Sequence, residues 1–372
     1  MNLGFDAKRY FHNHTGLGNY SRFVVDSLIA MYPDCGYFLY DSKAKSDNHA
    51  DARAFFRTPK RFLHQKMPAL WRTVRLANDL VADKIDVFHG LSNEIPLGLG
   101  AAKIKTVVTI HDLIFMRFPD TYTRIDRAIY RQKVKYACRV ADKVVAVSHQ
   151  TKADIVHYFN VEPKKIEVVY QGCHKQFNQK ISDTKILTSV KARYNLKKRY
   201  FLCVSTISER KNQLNLVKAF HSLNLGDAFD LVLVGGKTTY QLEIEQYIFK
   251  HKIQNIKIFN VLPFEDFPAL YQGSECVVYP SIFEGFGIPV LEAMHSGVPV
   301  LAADSSCLQE VLGRSGASTY FNPFSVEEIA EAMRIFNTSE DKSLYTKHYA
   351  DQLRSFDAKT NTQKLMNLYQ NL

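Results

Sequence analysis

Short β-branched and aromatic runs alternate along this chain with segments of helical periodicity, and that alternation restricts its possible folds more than any other property. Strand-like runs fall at residues 105–110, 143–147, 166–170, 200–204, 231–234, 257–261, 276–279 and 299–302. Segments such as 212–223 and 239–251 between them carry the 3.6-residue apolar period of a helix. Repeated strand–helix alternation is the pattern of βαβ units, which close into parallel sheets with helices on both faces. It continues past the size of one sheet, and 372 residues exceed what one core usually organises. A polar, basic stretch from Lys175 to Lys198 separates two such series, with a linker near residues 173–182. The expected architecture is α/β, two Rossmann-like domains facing each other across a cleft. The expected borders are residues 1–175 for the first Rossmann-like domain, 176–350 for the second, and a C-terminal helix at 351–372 packing back toward the first domain. Ligands of doubly wound sheets bind outside the carboxyl ends of the strands, so loops after strands are where function is sought.

No apolar run reaches the roughly 18–20 residues of a membrane span. The N-terminus lacks a basic stretch followed by an apolar one, so a cytoplasmic location is expected. Six cysteines, Cys35, Cys138, Cys173, Cys203, Cys276 and Cys307, show no Cys-x-x-Cys spacing, which points to free thiols rather than a disulfide framework or zinc site. Net charge is +11, and it is uneven: residues 1–178 hold 27 Lys and Arg against 17 Asp and Glu, and the remainder 21 against 20. A basic first half suits an anionic partner such as a membrane surface or a phosphate-bearing lipid. Nucleic acid is not expected, because no recognition motif accompanies the charge.

The stretch from Ser281 to Asp304 carries the most chemistry. Glu284 and Glu292 stand eight positions apart. Between them lie Gly285, Phe286 and Gly287, then Ile288 and Pro289, which read as a glycine turn feeding a helix start. Such a start offers backbone N–H groups and a positive dipole end to a phosphate or to sugar hydroxyls. With Pro289 as the first helical residue, Glu292 falls on the first turn and Glu284 on the loop ahead of it. Either glutamate alone also fits plain helix decoration.

Other loops supply partners. Arg210 and Lys211 precede a helix, where the dipole disfavours cations, and this misfit suggests an anion between them, a diphosphate being the natural candidate. Gly16 and Gly18 lie ahead of a helical pattern beginning near Ser21, without the third glycine of a nicotinamide fingerprint. His111 and Asp112 end a strand, where an imidazole can bond a substrate hydroxyl or move a proton. Gly235-Gly236-Lys237 forms a further strand-to-glycine turn.

In this order these segments resemble a known family. Gly16-Leu17-Gly18-Asn19-Tyr20, Thr109-Ile110-His111-Asp112, Glu209-Arg210-Lys211-Asn212, Leu233-Val234-Gly235-Gly236 and the Glu284 to Glu292 motif are similar to those of retaining glycosyltransferases of family 4, which have the two-domain GT-B fold. The resemblance implies that Glu284 binds donor-sugar hydroxyls, with backbone N–H groups of Phe286, Gly287 and Ile288 on sugar and diphosphate, and that Glu292 holds the ribose. It implies that Arg210 and Lys211 neutralise the leaving diphosphate, that His111 sits near the sugar, and that Gly16 to Gly18 approach the diphosphate or acceptor. It implies no cofactor and no metal requirement, a nucleotide diphosphate sugar as donor, and front-face attack in preference to a covalent intermediate on Glu284. The reaction expected is hexosyl transfer to a glycan or lipid-linked acceptor in surface polysaccharide assembly. A nucleotide-sugar epimerase and a non-catalytic sugar-nucleotide-binding subunit are the alternatives.

Ser205, Asn260, Gln171 and Cys173-His174 depart from the family pattern, and Ser205 narrows the space over a diphosphate unless its hydroxyl joins the site. Residues 53–75 interleave Arg57, Lys60, Arg61, Lys66, Arg72 and Arg75 with Phe55, Phe56, Phe62, Leu63, Met67, Leu70 and Trp71. This pattern suits either a segment lying on an anionic bilayer, which makes the protein peripheral at the inner face of a membrane, or a helix packing its apolar face on its own sheet.

Overall fold

A computed structural model describes residues 1–13, 15–43, 53–59, 67–226, 228–314 and 319–372. They form two compact units, one of residues 1–172 with 356–372 and one of residues 173–355. The border falls at Gly172 and Cys173, three residues before the expected one, and residues 351–355 belong to the second unit.

Among the described residues the first unit holds seven parallel strands: β1 (Asn2–Asp6), β2 (Gly36–Tyr40), β3 (Ala54–Arg57), β4 (Val87–Gly90), β5 (Lys105–Ile110), β6 (Lys143–Ala146) and β7 (Ile166–Val168). Their order in the sheet is β3-β2-β1-β4-β5-β6-β7. The second unit holds β8 (Arg199–Val204), β9 (Phe229–Val234), β10 (Ile256–Phe259), β11 (Cys276–Tyr279), β12 (Val300–Ala303) and β13 (Tyr320–Phe321), ordered β10-β9-β8-β11-β12-β13. Every pairing is parallel. All residues of β9, β11 and β12 are buried, as expected of strands covered on both faces, and this is why they read as unbroken apolar runs. In both sheets the winding reverses beside the first strand, between β1 and β4 and between β8 and β11. These two places are the switch points where doubly wound folds open a crevice.

The covering helices show why the sequence pattern works. Helix Arg124–Val140 begins at Thr123, whose hydroxyl accepts from Asp126 N at 3.1 Å, and buries Val134, Ala137 and Cys138 on one stripe. The last helix, Ala358–Gln370, belongs to the first unit, where Asn361 Oδ1 accepts from Tyr170 N at 3.1 Å and Lys364 Nζ donates to Val168 O at 2.7 Å.

Two expectations need correction. Gly16 and Gly18 do not precede their helix; they lie inside it, in Gly16–Met31. Glycine weakens helix propensity, which is why the start read five residues late. A Cβ on Gly18 would stand 1.7 Å from Asn13 O, so that glycine serves backbone packing, whereas a Cβ on Gly16 meets nothing within 4 Å. The bilayer-lying reading of residues 53–75 also fails in part. Trp71 is buried and donates Nε1–H to Asp79 Oδ2 at 2.7 Å, and Arg72 turns inward onto Asp6 and Glu94. Phe55, Phe56, Met67 and Leu70 are exposed; Lys60, Arg61, Phe62, Leu63 and Lys66 lie outside the described residues. Among the described residues no helix is long and apolar enough to cross a membrane. All six cysteines are free.

Candidate active site

Strands β8 and β11 are sheet neighbours, with Cys276 opposite Phe201 and Val277 opposite Leu202. The loops leaving their carboxyl ends therefore meet at the switch point of the second sheet. After β8 the chain makes a 3-10 turn at Glu209–Lys211; Asn212 follows at φ 62° and caps helix Gln213–Ser222. Asparagine tolerates that left-handed conformation, and its Nδ2 donates to Pro280 O at 3.2 Å and Pro323 O at 2.6 Å. Ile282 N donates to Arg210 O at 2.9 Å and sews the two loops together.

Across that seam Glu284 receives both cations. Lys211 Nζ donates to Glu284 Oε1, and Arg210 Nη1 stands 3.3 Å from Oε2. Oε1 also accepts from Ser281 Oγ at 2.6 Å and Tyr279 OH at 3.1 Å, and Lys211 donates to the Tyr279 oxygen at 2.9 Å. Arg210 Nη1 donates to Phe283 O as well. Burial alone would raise the Glu284 pKa, but the charge of Lys211, then that of Arg210, overrides it and holds the carboxyl at about 2. Burial lowers the Lys211 pKa, against which the Glu284 charge acts. The misplaced cations thus do have an anion between them. In the free protein it is Glu284 itself, 73 residues away in sequence.

The glycine turn continues into helix Ile288–His295. Gly287 caps it at φ 98°, a conformation that favours glycine, and a Cβ there would stand 2.8 Å from Leu308 Cδ2, so that side chain would have to shift. The turn is held from below by Cys307, whose Sγ lies 3.2 Å from Glu284 O and 3.0 Å from Phe286 O, and by Ser306 Oγ, which accepts from Glu284 N at 3.0 Å. Pro289 is the second helical residue, not the first, and Glu292 opens the second turn rather than lying on the first. Glu292 is buried, and its Oε2 accepts from Tyr271 OH at 2.8 Å. Burial raises its pKa to about 7, with the Tyr271 hydroxyl opposing. One short motif therefore holds one carboxyl well below the ordinary carboxylate value and raises the other to about 7.

Three departures from the family pattern have structural partners. Ser205 Oγ accepts from Gln213 Nε2 at 2.8 Å, and Gly235 lies so close above it that a Cβ there would stand 1.8 Å from Ser205 O. Asn260 Nδ2 donates to Gly235 O at 3.0 Å and to Gln241 Oε1 at 2.7 Å, tying the β10 end to the glycine turn. Burial, followed by the charge of Glu292, raises the Cys173 thiol well above its ordinary value.

Gly16, Gly18 and His111 belong to the first unit. His111 is buried at the end of β5, and its Nε2 lies 2.8 Å from Leu91 O. A carbonyl only accepts, so Nε2 carries the proton; burial lowers the pKa to about 4, and the ring is neutral with Nδ1 as acceptor. The Tyr20 ring meets it edge-on at 4.6 Å. Tyr20 OH lies 2.8 Å from Thr109 Oγ1, which lies 2.8 Å from His89 Nε2, while His89 Nδ1 lies 2.6 Å from Tyr369 OH. A buried polar chain thus runs from the last helix to the neighbour of His111. Sequence reading missed this chain, and it missed Tyr279, Ser281 and Tyr271. Tyr279 and Ser281 are directly ahead of the motif at the end of β11, which was the available signal; nothing local marks Tyr271 or Tyr369. Among the described residues no group of three or more His, Cys, Asp or Glu side chains is placed to hold a metal ion.

Two family models together match most of the chain. The family model described as Glycosyltransferase Family 4 matches residues 18–177, and that described as Glycosyl transferases group 1 matches residues 186–353. The O-antigen chain mannosyltransferase RfbU of Salmonella typhimurium is 28% identical over 242 residues, which are 62% of this chain and 63% of the relative, so the match spans less than two thirds of that protein. O-antigen chain mannosyltransferase B of Escherichia coli is 27% identical over 340 residues, 88% of this chain and 85% of its own. The crystal structure of Anabaena Alr3699/HepE in complex with UDP and glucose shares the fold over 100% of both chains, with a TM-score of 0.75 at 18% identity. With one model covering most of the first unit and the other most of the second, this chain belongs to the glycosyltransferases of family 4 and has the GT-B fold.

Proposed function

We propose that this protein transfers a hexose, with retention, from a nucleotide diphosphate sugar to a glycan or lipid-linked glycan in surface polysaccharide assembly. The observation that carries the reading is the Arg210–Lys211–Glu284 cluster at the switch point of the second sheet. In it two cations are gathered by one carboxylate beside a helix start. A diphosphate entering there meets a forked guanidinium, an ammonium and the positive end of a helix. Glu284 holds the cations in place and presents its carboxylate to donor-sugar hydroxyls. Glu292 takes the ribose hydroxyls, and Nδ1 of neutral His111 accepts from a sugar hydroxyl. The relatives' names favour a mannosyl donor.

In the front-face reaction the acceptor oxygen bonds to the anomeric carbon as the bond to the diphosphate breaks on the same side. The acceptor's proton passes to the departing phosphate oxygen. Arg210 and Lys211 stabilise the charge that develops on the diphosphate, and this is the work a metal would otherwise do. A thermal-shift panel of GDP-mannose, UDP-glucose and UDP-N-acetylglucosamine, run in excess EDTA, tests donor binding and metal independence together. One of these ligands is expected to raise the melting temperature by several degrees at saturating concentration. No rise with any of them, or a rise that EDTA abolishes, contradicts the reading.

Exposed Phe55, Phe56, Met67 and Leu70 on the basic first unit support action at an anionic membrane surface, on its cytoplasmic side. Sedimentation with phosphatidylglycerol vesicles at low salt is expected to carry the protein down and to release it at high salt. Protein left in the supernatant at low salt removes the membrane reading and leaves the transferase reading standing.

A further inference from the structure

His89 takes no part in the proposed reaction, yet it is a wholly buried imidazole within β4 with both ring nitrogens occupied. Nδ1 lies 2.6 Å from the hydroxyl of Tyr369, on the last helix, and Nε2 lies 2.8 Å from Thr109 Oγ1. Burial lowers its pKa to about 3, so the ring is neutral, and a neutral imidazole donates from one nitrogen and accepts at the other. One of the two hydroxyls therefore donates to the ring and the other accepts from it. Fixing the role of Tyr369 fixes the role of Thr109.

Thr109 stands two residues before His111, and Tyr20 touches both. Its hydroxyl lies 2.8 Å from Thr109 Oγ1, and its ring meets the His111 ring edge-on, with centroids 4.6 Å apart and planes at 89°. The Nε2–H of His111 on Leu91 O, at 2.8 Å, fixes one corner of the imidazole. The plane of the ring, and with it the direction of the Nδ1 lone pair, rests on the edge that Tyr20 presents. Tyr20, His89, Thr109 and Tyr369 are each at most 2% exposed, so bulk water does not replace a lost partner and each bond in the chain depends on the next. We infer that Tyr369 is a positioning residue for His111, acting through His89, Thr109 and Tyr20 to aim Nδ1 at the donor sugar. The aim at a sugar rests on the transferase reading; the coupling of Tyr369 to His111 does not.

A double-mutant cycle on the full chain tests it. Tyr369→Phe removes one hydroxyl and keeps the ring; turnover per folded molecule is expected to fall about tenfold, and to change less than about twofold when the same substitution is made in His111→Ala. The fall in melting temperature is expected to be the same in both backgrounds. Thr109→Val, which cuts the chain on the other side of His89, is expected to repeat this pattern and serves where Tyr369→Phe does not fold. Proton–nitrogen correlation spectra of the histidine-labelled chain without donor, assigned with His111→Ala, are expected to show the His111 ring resonances displaced by Tyr369→Phe. Turnover per folded molecule untouched by both variants, an equal loss in the His111→Ala background, or His111 resonances that stay in place overturns the inference. If the wild-type chain turns over no nucleotide sugar, the transferase reading falls and the His111 resonances alone decide the coupling.

Discussion

Replacing Lys211 by Ala is expected to lower kcat for sugar transfer by about 10²–10³-fold, the usual loss when one preorganised group facing developing charge is removed. Lys211 is the better target of the two cations because its ammonium is bound by Glu284 Oε1 and Tyr279 OH and is fixed before any donor arrives. The same substitution breaks a buried ion pair, which costs about 3–5 kcal/mol of stability where one charge is left behind; Arg210, Ser281 and Tyr279 still hold Glu284 and place the loss at the lower end. Urea unfolding therefore accompanies the assay, and rates are referred to folded protein. A melt that falls while turnover per folded molecule stays the same would reduce Lys211 to a structural residue. The pH dependence has a definite sign. The Glu284 pKa is depressed to about 2, so its contribution is present above the ordinary carboxylate range and is lost as pH falls toward 2. Lys211→Ala is expected to move acid unfolding to higher pH.

Nucleotide affinity is expected to rise with pH between about 5.5 and 7 and to level off above, through Glu292. Burial raises this carboxyl to about 7 in the free protein, so it is mostly protonated below that pH and ionised above it. Ribose hydroxyls donate best to the ionised form, and a ligand favouring the carboxylate draws its proton off. The gain is at most tenfold per pH unit for one proton. In the free protein the sign is opposite: stability is full below the ordinary carboxylate value and declines as pH rises through about 7. Calorimetric titration of the nucleoside diphosphate in buffers of differing ionisation enthalpy measures the proton released. Glu292→Gln is expected to weaken binding about 10–100-fold, the loss of hydrogen bonds to a charged partner, and to flatten the pH profile beyond what phosphate titration leaves. An unchanged profile in Glu292→Gln would detach that residue from the ribose.

How much of this was legible in the chain depended on distance along it. The runs at β5, β6, β8, β9 and β11 announced parallel sheets because both faces of those strands are buried. Glu284 through Ile288 were legible because turn, cap and helix start are local events. Arg210 and Lys211 showed themselves as cations in the wrong place, yet the sequence offered a ligand as their partner where the fold supplies Glu284. That contact depends on β8 and β11 being neighbours, and strand order is not written in any one segment. Gly18 looked like a ligand-facing glycine, but the Asn13 carbonyl that requires it is a packing partner. Arg72 joined a supposed membrane face because its neighbours are basic and apolar, although its partners Asp6 and Glu94 come from two other elements.

The most direct measurement is a crystal structure with the nucleotide sugar that gives the largest thermal shift. The diphosphate is expected within hydrogen-bonding distance of Arg210 and Lys211, the ribose hydroxyls on the Glu292 carboxylate, and the sugar hydroxyls on Glu284. A nucleotide bound elsewhere, with Lys211 and Arg210 still closed on Glu284 and Glu292 still bonded to Tyr271, would contradict these roles.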